Sequence, residues 1–422
     1  MIEWQYKALE TVAHIVNGFS FKSGDFAADN NIKSVKITNV GVQDFIEQTD
    51  SLLPSAFMEK YASYQVSSGD IVIALTRTLI SSGLKVALVP HSFDKALLNQ
   101  RVAAIKTNPE LLDRKFLYYF FTSQMAYDFV KSSVNELMQP NLSIKDLKSF
   151  SIPCPTIEEQ KRIVTILDQA FADIEKACTT AETNLKSARE LFDSYLQQVF
   201  SERGEDWIVT TIDDLVEEKI LDKPIDGNHG EMHPKKADFV DSGIPFIMAS
   251  DIKDGSVDTT NCSFISKQQA DSLRKGFAKN DDVLLSHKAT IGKTAILQTD
   301  LEYVMLTPQV TYYRILNSEI LSNQYVYWYF NNPTFLNEMK EYAGAGSTRA
   351  YIGITKQRKL KFSYPSLTKQ REIVSKLNFM VTEIEKLEPV YRKKISALNE
   401  LKKSILQKAF TGELTMSKGI AA

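Results

Sequence analysis

From Ile163 to Tyr195, apolar residues recur in alternating steps of three and four: Ile163, Leu167, Ala170, Ile174, Ala177, Ala181, Ala188, Leu191 and Tyr195, with Asn184 in one slot. Ile373, Leu377, Ile384, Leu387, Tyr391, Ile395, Leu398, Leu401 and Ile405 do the same later in the chain. A seven-residue apolar repeat with polar residues between is the seam of a coiled coil. Phe171, Cys178, Leu185, Phe192 and Val199 widen the first stripe. Thr156 followed by Glu159 fits a capping box and starts the first helix near Ile157. Ser366 can cap the second, although Lys369 leaves the box incomplete. Pro389 removes a backbone donor inside the second helix and predicts a kink or break. From Ile157 to Phe200, a continuous helix would run about 66 Å.

The two helices are copies. At a constant offset of 210 residues, Gln160 matches Gln370, Ile163-Val164 match Ile373-Val374, and Leu167 matches Leu377. Ile174-Glu175-Lys176 match Ile384-Glu385-Lys386; Leu191, Ser194, Leu196, Gln197 and Phe200 match Leu401, Ser404, Leu406, Gln407 and Phe410. A long helix with one apolar stripe needs a partner, and its own duplicate is the simplest one. Two independent amphipathic helices, each on its own domain, are the alternative. They would normally be much shorter.

The segments ahead of the helices correspond more loosely. "GDIVIAL" (69–75) parallels "DDVLLS" (281–286), both β-branched-rich strands entered by a turn. "LNQRVAAIK" (98–106) parallels "TPQVTYYRI" (307–315), a polar corner and then a strand. "FLYYFF" (116–121) parallels "YVYWYF" (325–330), each leading into a helical pattern. The predicted fold class is α+β. Two mixed α/β domains, 1–155 and 204–365, alternate with long helices at 156–203 and 366–415, and 416–422 form a tail. The helices pair as an antiparallel coiled coil, because the first leads from one domain to the next and the second must lead back. The repeat implies a pseudo-two-fold axis.

Composition narrows the class. A chain of 422 residues, 43% hydrophobic and 24% charged, is of ordinary globular type. No apolar run approaches a membrane span, and MIEWQYKALE is not a signal peptide. Three cysteines without a Cys-x-x-Cys suit a reducing cytosol and argue against a thiolate zinc site. A net charge of −2 does not announce a nucleic-acid binder, but a basic face can be offset elsewhere.

Several stretches imitate catalytic motifs. "IGKT" (291–294) lacks the first glycine of a phosphate-binding loop, and it runs into a strand pattern rather than a helical one; a β-turn whose Lys288 and Lys293 reach DNA fits better, with a plain hairpin as the alternative. "NHGEMH" spaces His229 and His233 as zinc ligands would be on a helix. Gly227, Gly230 and Pro234 make it a loop instead, structural or DNA-facing. "NNPTF" (331–335) lacks the second proline of an adenine-methyltransferase motif and reads as a helix-ending turn. The aromatic runs are core at helical spacing, and Cys154 is simple packing.

Taken together, "IPCPTIEEQKRIV", "YPSLTKQREIV", "SILQKAFTGEL", "DGNHGEMHP", "GIPFIMASDI" and "HKATIGKTAIL" resemble the specificity subunits of type I restriction–modification systems. The resemblance spans about Trp4 to Leu414. It implies two target-recognition domains, each leading into a conserved helix, that read the halves of a bipartite, asymmetric site on double-stranded DNA. It also implies partners. Two adenine methyltransferase subunits would bring S-adenosylmethionine, and restriction subunits would bring ATP and magnesium; this chain would hold no cofactor and perform no chemistry. A single-chain DNA methyltransferase or nuclease is the catalytic alternative, but it would need motifs that are missing. A coiled-coil scaffold indifferent to DNA is the structural one. Side chains that can read base edges or hold phosphates nominate Thr76, Arg77, Asn99, Gln100, Arg101, Gln139 and Asn141 in the first domain. In the second they nominate His287, Lys288, Thr290, Lys293, Gln309, Ser347, Thr348 and Arg349. The first domain's "TRTLISSGLKVALV" departs from the pattern by lacking the Gly-Lys element of "HKATIGKTAIL".

Overall fold

The computed structural model describes residues 4–49, 51–133, 141–344 and 350–416. By contacts the chain divides into two units, Met1–Glu182 with Tyr391–Ala422, and Thr183–Val390. Each long helix therefore lends one end to each unit. The helices span Ile157–Ser201 and Leu367–Phe410. Thr156 Oγ1 accepts from the Glu159 amide at 3.3 Å, as the capping sequence predicts. Pro389 lies inside the second helix without ending it, and its ring is exposed.

In the first unit, a four-stranded antiparallel sheet runs in the order Ala13–Asn17, Val102–Thr107, Ile71–Ala74, Val86–Leu88. The second unit repeats it as Ile225–Asp226, Val310–Tyr313, Val283–Lys288, Thr290–Ile296. A two-stranded sheet, Tyr6–Ala8 with Ser151–Pro153, recurs as Ile208–Thr211 with Lys361–Tyr364. A five-stranded sheet in the second unit (Phe239–Val240, Ser263–Ile265, Ile244–Ile247, Val304–Leu306, Phe277–Ala278) survives in the first as the parallel pair Ser34–Val35 and Leu97–Leu98. Single bridges Ala27–Leu52, Ile32–Leu53 and Gln65–Leu97 flank that pair.

Backbone demands repeat with the topology. A Cβ on Gly18 would lie 1.9 Å from the Asn99 carbonyl oxygen, and one on Gly227 would lie 1.9 Å from that of Leu306. Only glycine permits these approaches. The turns entering Ile71–Ala74 and Val283–Lys288 place Gly69 and Asp281 at φ 84° and 68°. Each turn is closed by the next carboxylate. Asp70 accepts from the Ser67 amide (2.8 Å) and Asp282 from that of Lys279 (2.7 Å).

The aromatic runs form core helices, Arg114–Phe121 and Asn323–Asn331. In the first unit, Phe116 and Phe120 pack on Phe410 with ring centroids 5.2 and 5.3 Å apart, beside Ile163, Val164, Leu167 and Leu406. In the second, Tyr325 and Tyr329 pack on Phe200 at 5.7 and 5.4 Å, beside Ile373, Val374, Leu377 and Leu196. The start of each long helix thus shares a core with the end of the other, which is antiparallel pairing. Lys402 over the Phe171 ring and Lys376 over that of Tyr195 continue it, at 5.0 and 4.1 Å.

Two buried amides fasten these cores. Gln160 donates to the carbonyls of Pro155 (2.9 Å) and Leu111 (3.1 Å) and accepts from the Asp113 amide (2.7 Å). Gln370 donates to Pro365 (2.9 Å) and Ile320 (2.8 Å) and accepts from Ser322 (3.0 Å). The matched glutamines of the sequence repeat are thus the same lock, made twice.

Candidate nucleic-acid interface

Three chain segments meet at one end of each four-stranded sheet, by the same bonds in both units. In the first, the Leu75 amide donates to the Arg101 carbonyl (2.8 Å) and the Leu142 amide to that of Leu75 (2.9 Å). In the second, the His287 amide donates to the Gln309 carbonyl (2.9 Å) and the Ile352 amide to that of His287 (3.0 Å). Two residues further on, Arg77 and Ala289 both sit in the left-handed region, at φ 49° and 65°. Non-glycine residues there carry strain, which functional loops often retain. The Arg77 amide donates to Asn141 Oδ1 (3.3 Å), and the Ala289 amide to the Ala350 carbonyl (3.1 Å).

This rim gathers most of the residues nominated from sequence. Thr76, Arg77, Arg101 and Asn141 share it in the first unit, with Arg77, Arg101 and Asn141 exposed. Gln100 is exposed, and its amide donates to the Phe19 carbonyl; Asn99 is half-buried, held through its amide by Val35. Lys85 lies nearby, between the strands Gly83–Leu84 and Val86–Leu88. Burial, then the Arg77 charge, lowers its pKa. In the second unit, Lys288 and Thr290 are exposed at the tip of the hairpin, and Gln309 is half-buried. Gln139, Ser347, Thr348 and Arg349 lie outside the described residues.

Two nominated side chains point inward instead. His287 is fully buried, with Nδ1 3.0 Å from the Ile352 carbonyl oxygen, because the segment 350–352 closes over it. Burial pushes its pKa down to about 4, so it is a neutral ring below the rim. Lys293 is half-buried, and its ammonium donates to the Ala249 carbonyl (3.1 Å). "IGKT" is not the turn itself but part of the strand that follows it: Thr290–Ile296 pairs with Val283–Lys288 and the turn falls at Ala289. "NNPTF" ends one helix and caps the next, Asn332 Oδ1 accepting from the Phe335 amide at 3.0 Å. The missing Gly-Lys element has a structural counterpart. Between Arg77 and Val86 the first unit inserts a small hairpin, Leu79–Ile80 with Gly83–Leu84, where the second turns tightly at Ala289.

Three side chains join the second rim without having been nominated. Exposed Tyr351 lies under the Lys288 ammonium, 5.9 Å from its ring centroid. His229 and His233 line a cleft of about 290 Å³ with Lys288 and Gln309. Burial alone would raise the pKa of Asp226, but bonds from Lys275 and His229 outweigh it and hold the carboxyl below its usual value. His229 Nε2 stands 2.6 Å from that carboxylate. "NHGEMHP" is thus a rim loop, its glycines a visible sign. Nothing in the sequence marked Tyr351. Among the described residues, no group of three or more His, Cys, Asp or Glu could hold a metal, and no helix is long and apolar enough to cross a membrane.

The fold is therefore that of a duplicated protein, two α+β domains each carrying a rim of turns and sharing a pair of long helices. The family model for the type I restriction modification DNA specificity domain matches residues 1–182 and again 204–390. The chain belongs to that family, the specificity subunits of type I restriction–modification systems. The Escherichia coli type I restriction enzyme EcoBI specificity subunit is 23% identical over 98% of this chain and 86% of its own length. The MjaVIII specificity subunit of Methanocaldococcus jannaschii is 33% identical over 38% of this chain and 37% of its own. The solved HsdS subunit from Thermoanaerobacter tengcongensis shares the fold with a TM-score of 0.62, at 20% identity, over 97% of both chains. A chain from a structure of type I R-M complex assembly and conformational transition does so at 0.73 and 20%, over 98% of this chain and 99% of its own.

Proposed function

We propose that the chain reads a bipartite, asymmetric site on double-stranded DNA, one half with each rim, in the cytoplasm. It positions two adenine methyltransferase subunits and the restriction subunits without catalysing a step itself. S-adenosylmethionine, ATP and magnesium belong to those partners. The observation that carries this reading is the duplicated rim: one backbone scaffold, built twice, presents different side chains. Thr76, Arg77 and Arg101 occupy the positions where the second unit has Lys288, Ala289 and Gln309. A shared scaffold with exchanged tips suits two readers of two different sequences. Asn99, Gln100, Gln139, Asn141, Thr290, Ser347, Thr348 and Arg349 are further contacts of the reading. His287 supports the second rim from beneath.

The test is a binding assay on duplexes carrying single-base changes across both halves. Arg77→Ala or Arg101→Ala should weaken or relax readout in one half only, by about 1–3 kcal/mol where a bidentate guanine contact is lost. Arg349→Ala should do the same in the other half. Lys288→Ala should weaken binding to all sequences alike and lower the salt slope by about one if the ammonium holds a phosphate. Losses spread over both halves from Arg77→Ala would refute its role as a base reader. The purified chain alone, given S-adenosylmethionine and DNA, should neither transfer methyl groups nor cut. Turnover that stays with the chain through purification would favour a single-chain enzyme.

A further inference from the structure

The duplicated fold supplies its own control for one buried carboxylate. Gly18 and Gly227 make the same close approach to a carbonyl in the two units. The residue before each is Asn17, exposed, in the first unit and Asp226, 2% exposed, in the second. The scaffold therefore forms without a carboxylate at this position. A buried carboxylate is costly unless it is paired, and Asp226 is paired twice. Oδ1 accepts from the Lys275 ammonium, and Oδ2 lies 2.6 Å from His229 Nε2. The loop that carries His229 is fixed around this fork. Asn228, also buried, donates to the Lys275 carbonyl (2.6 Å) and accepts from the Arg274 amide (3.1 Å). His229 itself is exposed and lines the cleft with Lys288 and Gln309. His233, the other histidine of that cleft, packs on the Phe246 ring at 5.6 Å between centroids, and its Nδ1 is buried.

The fork decides where the hydrogen of His229 sits. Despite burial, the bonds from Lys275 and His229 keep Asp226 ionised. An ionised carboxylate only accepts, so the nitrogen facing Oδ2 is the one that carries hydrogen. A neutral imidazole has one donor and one acceptor. With the Nε2 hydrogen given to Asp226, Nδ1 is left as an acceptor. In the major groove an acceptor matches the exocyclic amino group of adenine or cytosine, and not O6 of guanine or O4 of thymine.

We propose that His229 reads one base of the second half-site through Nδ1 as an acceptor, and that Asp226 is the positioning residue that fixes this role. The inference rests on the function proposed above, with the second rim set against base edges. Lys275 makes it testable. An ammonium has three donors and no acceptor. The amide introduced by Asp226→Asn must therefore keep its oxygen toward Lys275 and turn its nitrogen toward His229. Nε2 must then accept, and the hydrogen moves to Nδ1. The substitution converts Nδ1 from acceptor to donor with little change of shape.

The full chain is assayed on duplexes carrying each base at every position of both halves. The assay is run at about pH 8.5, well above the ordinary imidazole value, where a ring carries one proton. One position of the second half should prefer adenine or cytosine by about three- to tenfold, the weight of one hydrogen bond. His229→Ala should erase that preference, and Asp226→Asn should move it to guanine or thymine, with every other position unchanged. Nitrogen NMR of the chain labelled at its five histidines reads the tautomer without DNA. Hydrogen should sit on Nε2 of His229 in the unaltered chain and on Nδ1 in Asp226→Asn. Hydrogen on Nδ1 in the unaltered chain would overturn the inference even where the variant fails to fold. An Asp226→Asn chain that weakens on all sequences alike, or loses the preference without reversing it, would make Asp226 a structural support only and overturn its positioning role. Preferences in both halves that His229→Ala leaves untouched would overturn the reading by His229 and leave the proposed function standing. No base preference in either half would overturn the proposed function, and this inference with it.

Discussion

Replacing Gln370 with leucine should destabilise the second unit by about 3 kcal/mol or more, and Gln160→Leu should do the same to the first. Each glutamine is fully buried and makes three hydrogen bonds to backbone groups. Leucine fills similar space but leaves one amide and two carbonyls without partners, and each buried orphan costs about 1–3 kcal/mol. Rearrangement and water will recover part of the sum. The lock joins the first turn of a long helix to the loop ahead of the core helix, so its loss should also open that loop. Urea unfolding gives the loss of stability. Hydrogen exchange locates it: the amide of Ser322 should exchange faster in Gln370→Leu while that of Asp113 is unchanged, and the reverse should hold in Gln160→Leu. Uniform acceleration in both units would show that the glutamines do not act locally.

These glutamines also show where sequence reading stops. Their match at a constant offset is plain in the chain, and so is the helix start around them. Their function is not, because the carbonyls and amides they bind lie up to 50 residues away. The long helices were legible because a seven-residue stripe repeats often enough to stand out. The four-stranded sheets were partly legible: Ile71–Ala74 and the Val283-Leu284-Leu285 start of Val283–Lys288 are continuous apolar runs, whereas Ile225–Asp226 is two residues long. The five-stranded sheet left almost no trace in the first unit, where bridges of one residue replace strands. In the candidate interface, residue type pointed to turns that gather at one rim but not to the direction of each side chain. His287 looks like a tip residue beside Lys288, and only the strand-like closure by Tyr351 and Ile352 shows that it is buried. Pro389 left a kink or a break open; the helix runs on through it at an exposed position, so it is not a break.

Arg314→Met should cost about 3–5 kcal/mol at about pH 7, because it leaves the Asp282 carboxylate buried without its counter-ion. Asp282 is 1% exposed and receives both Nε (2.9 Å) and an Nη (2.7 Å) of Arg314. The equivalent pair in the first unit, Asp70 with Lys106, is looser at 3.6 Å. Burial already raises the pKa of Asp282, against the pull of the guanidinium. Removing that charge must raise it further. A carboxyl whose folded pKa is raised favours the fold when protonated, and that contribution is lost as pH rises through the folded value. The penalty in Arg314→Met should therefore be greatest near neutrality and shrink as the pH is lowered toward the usual carboxylate range near 4. Pairing the change with Asp282→Asn should recover much of the loss at neutral pH, since the amide carries no charge to strand. Urea unfolding of the unaltered chain, the single variant and the double variant across this pH range measures all three effects. A penalty that stays constant with pH, or that Asp282→Asn fails to relieve, would mean that Arg314 stabilises the unit by packing on the Tyr312 ring, 4.6 Å away, and not by neutralising Asp282.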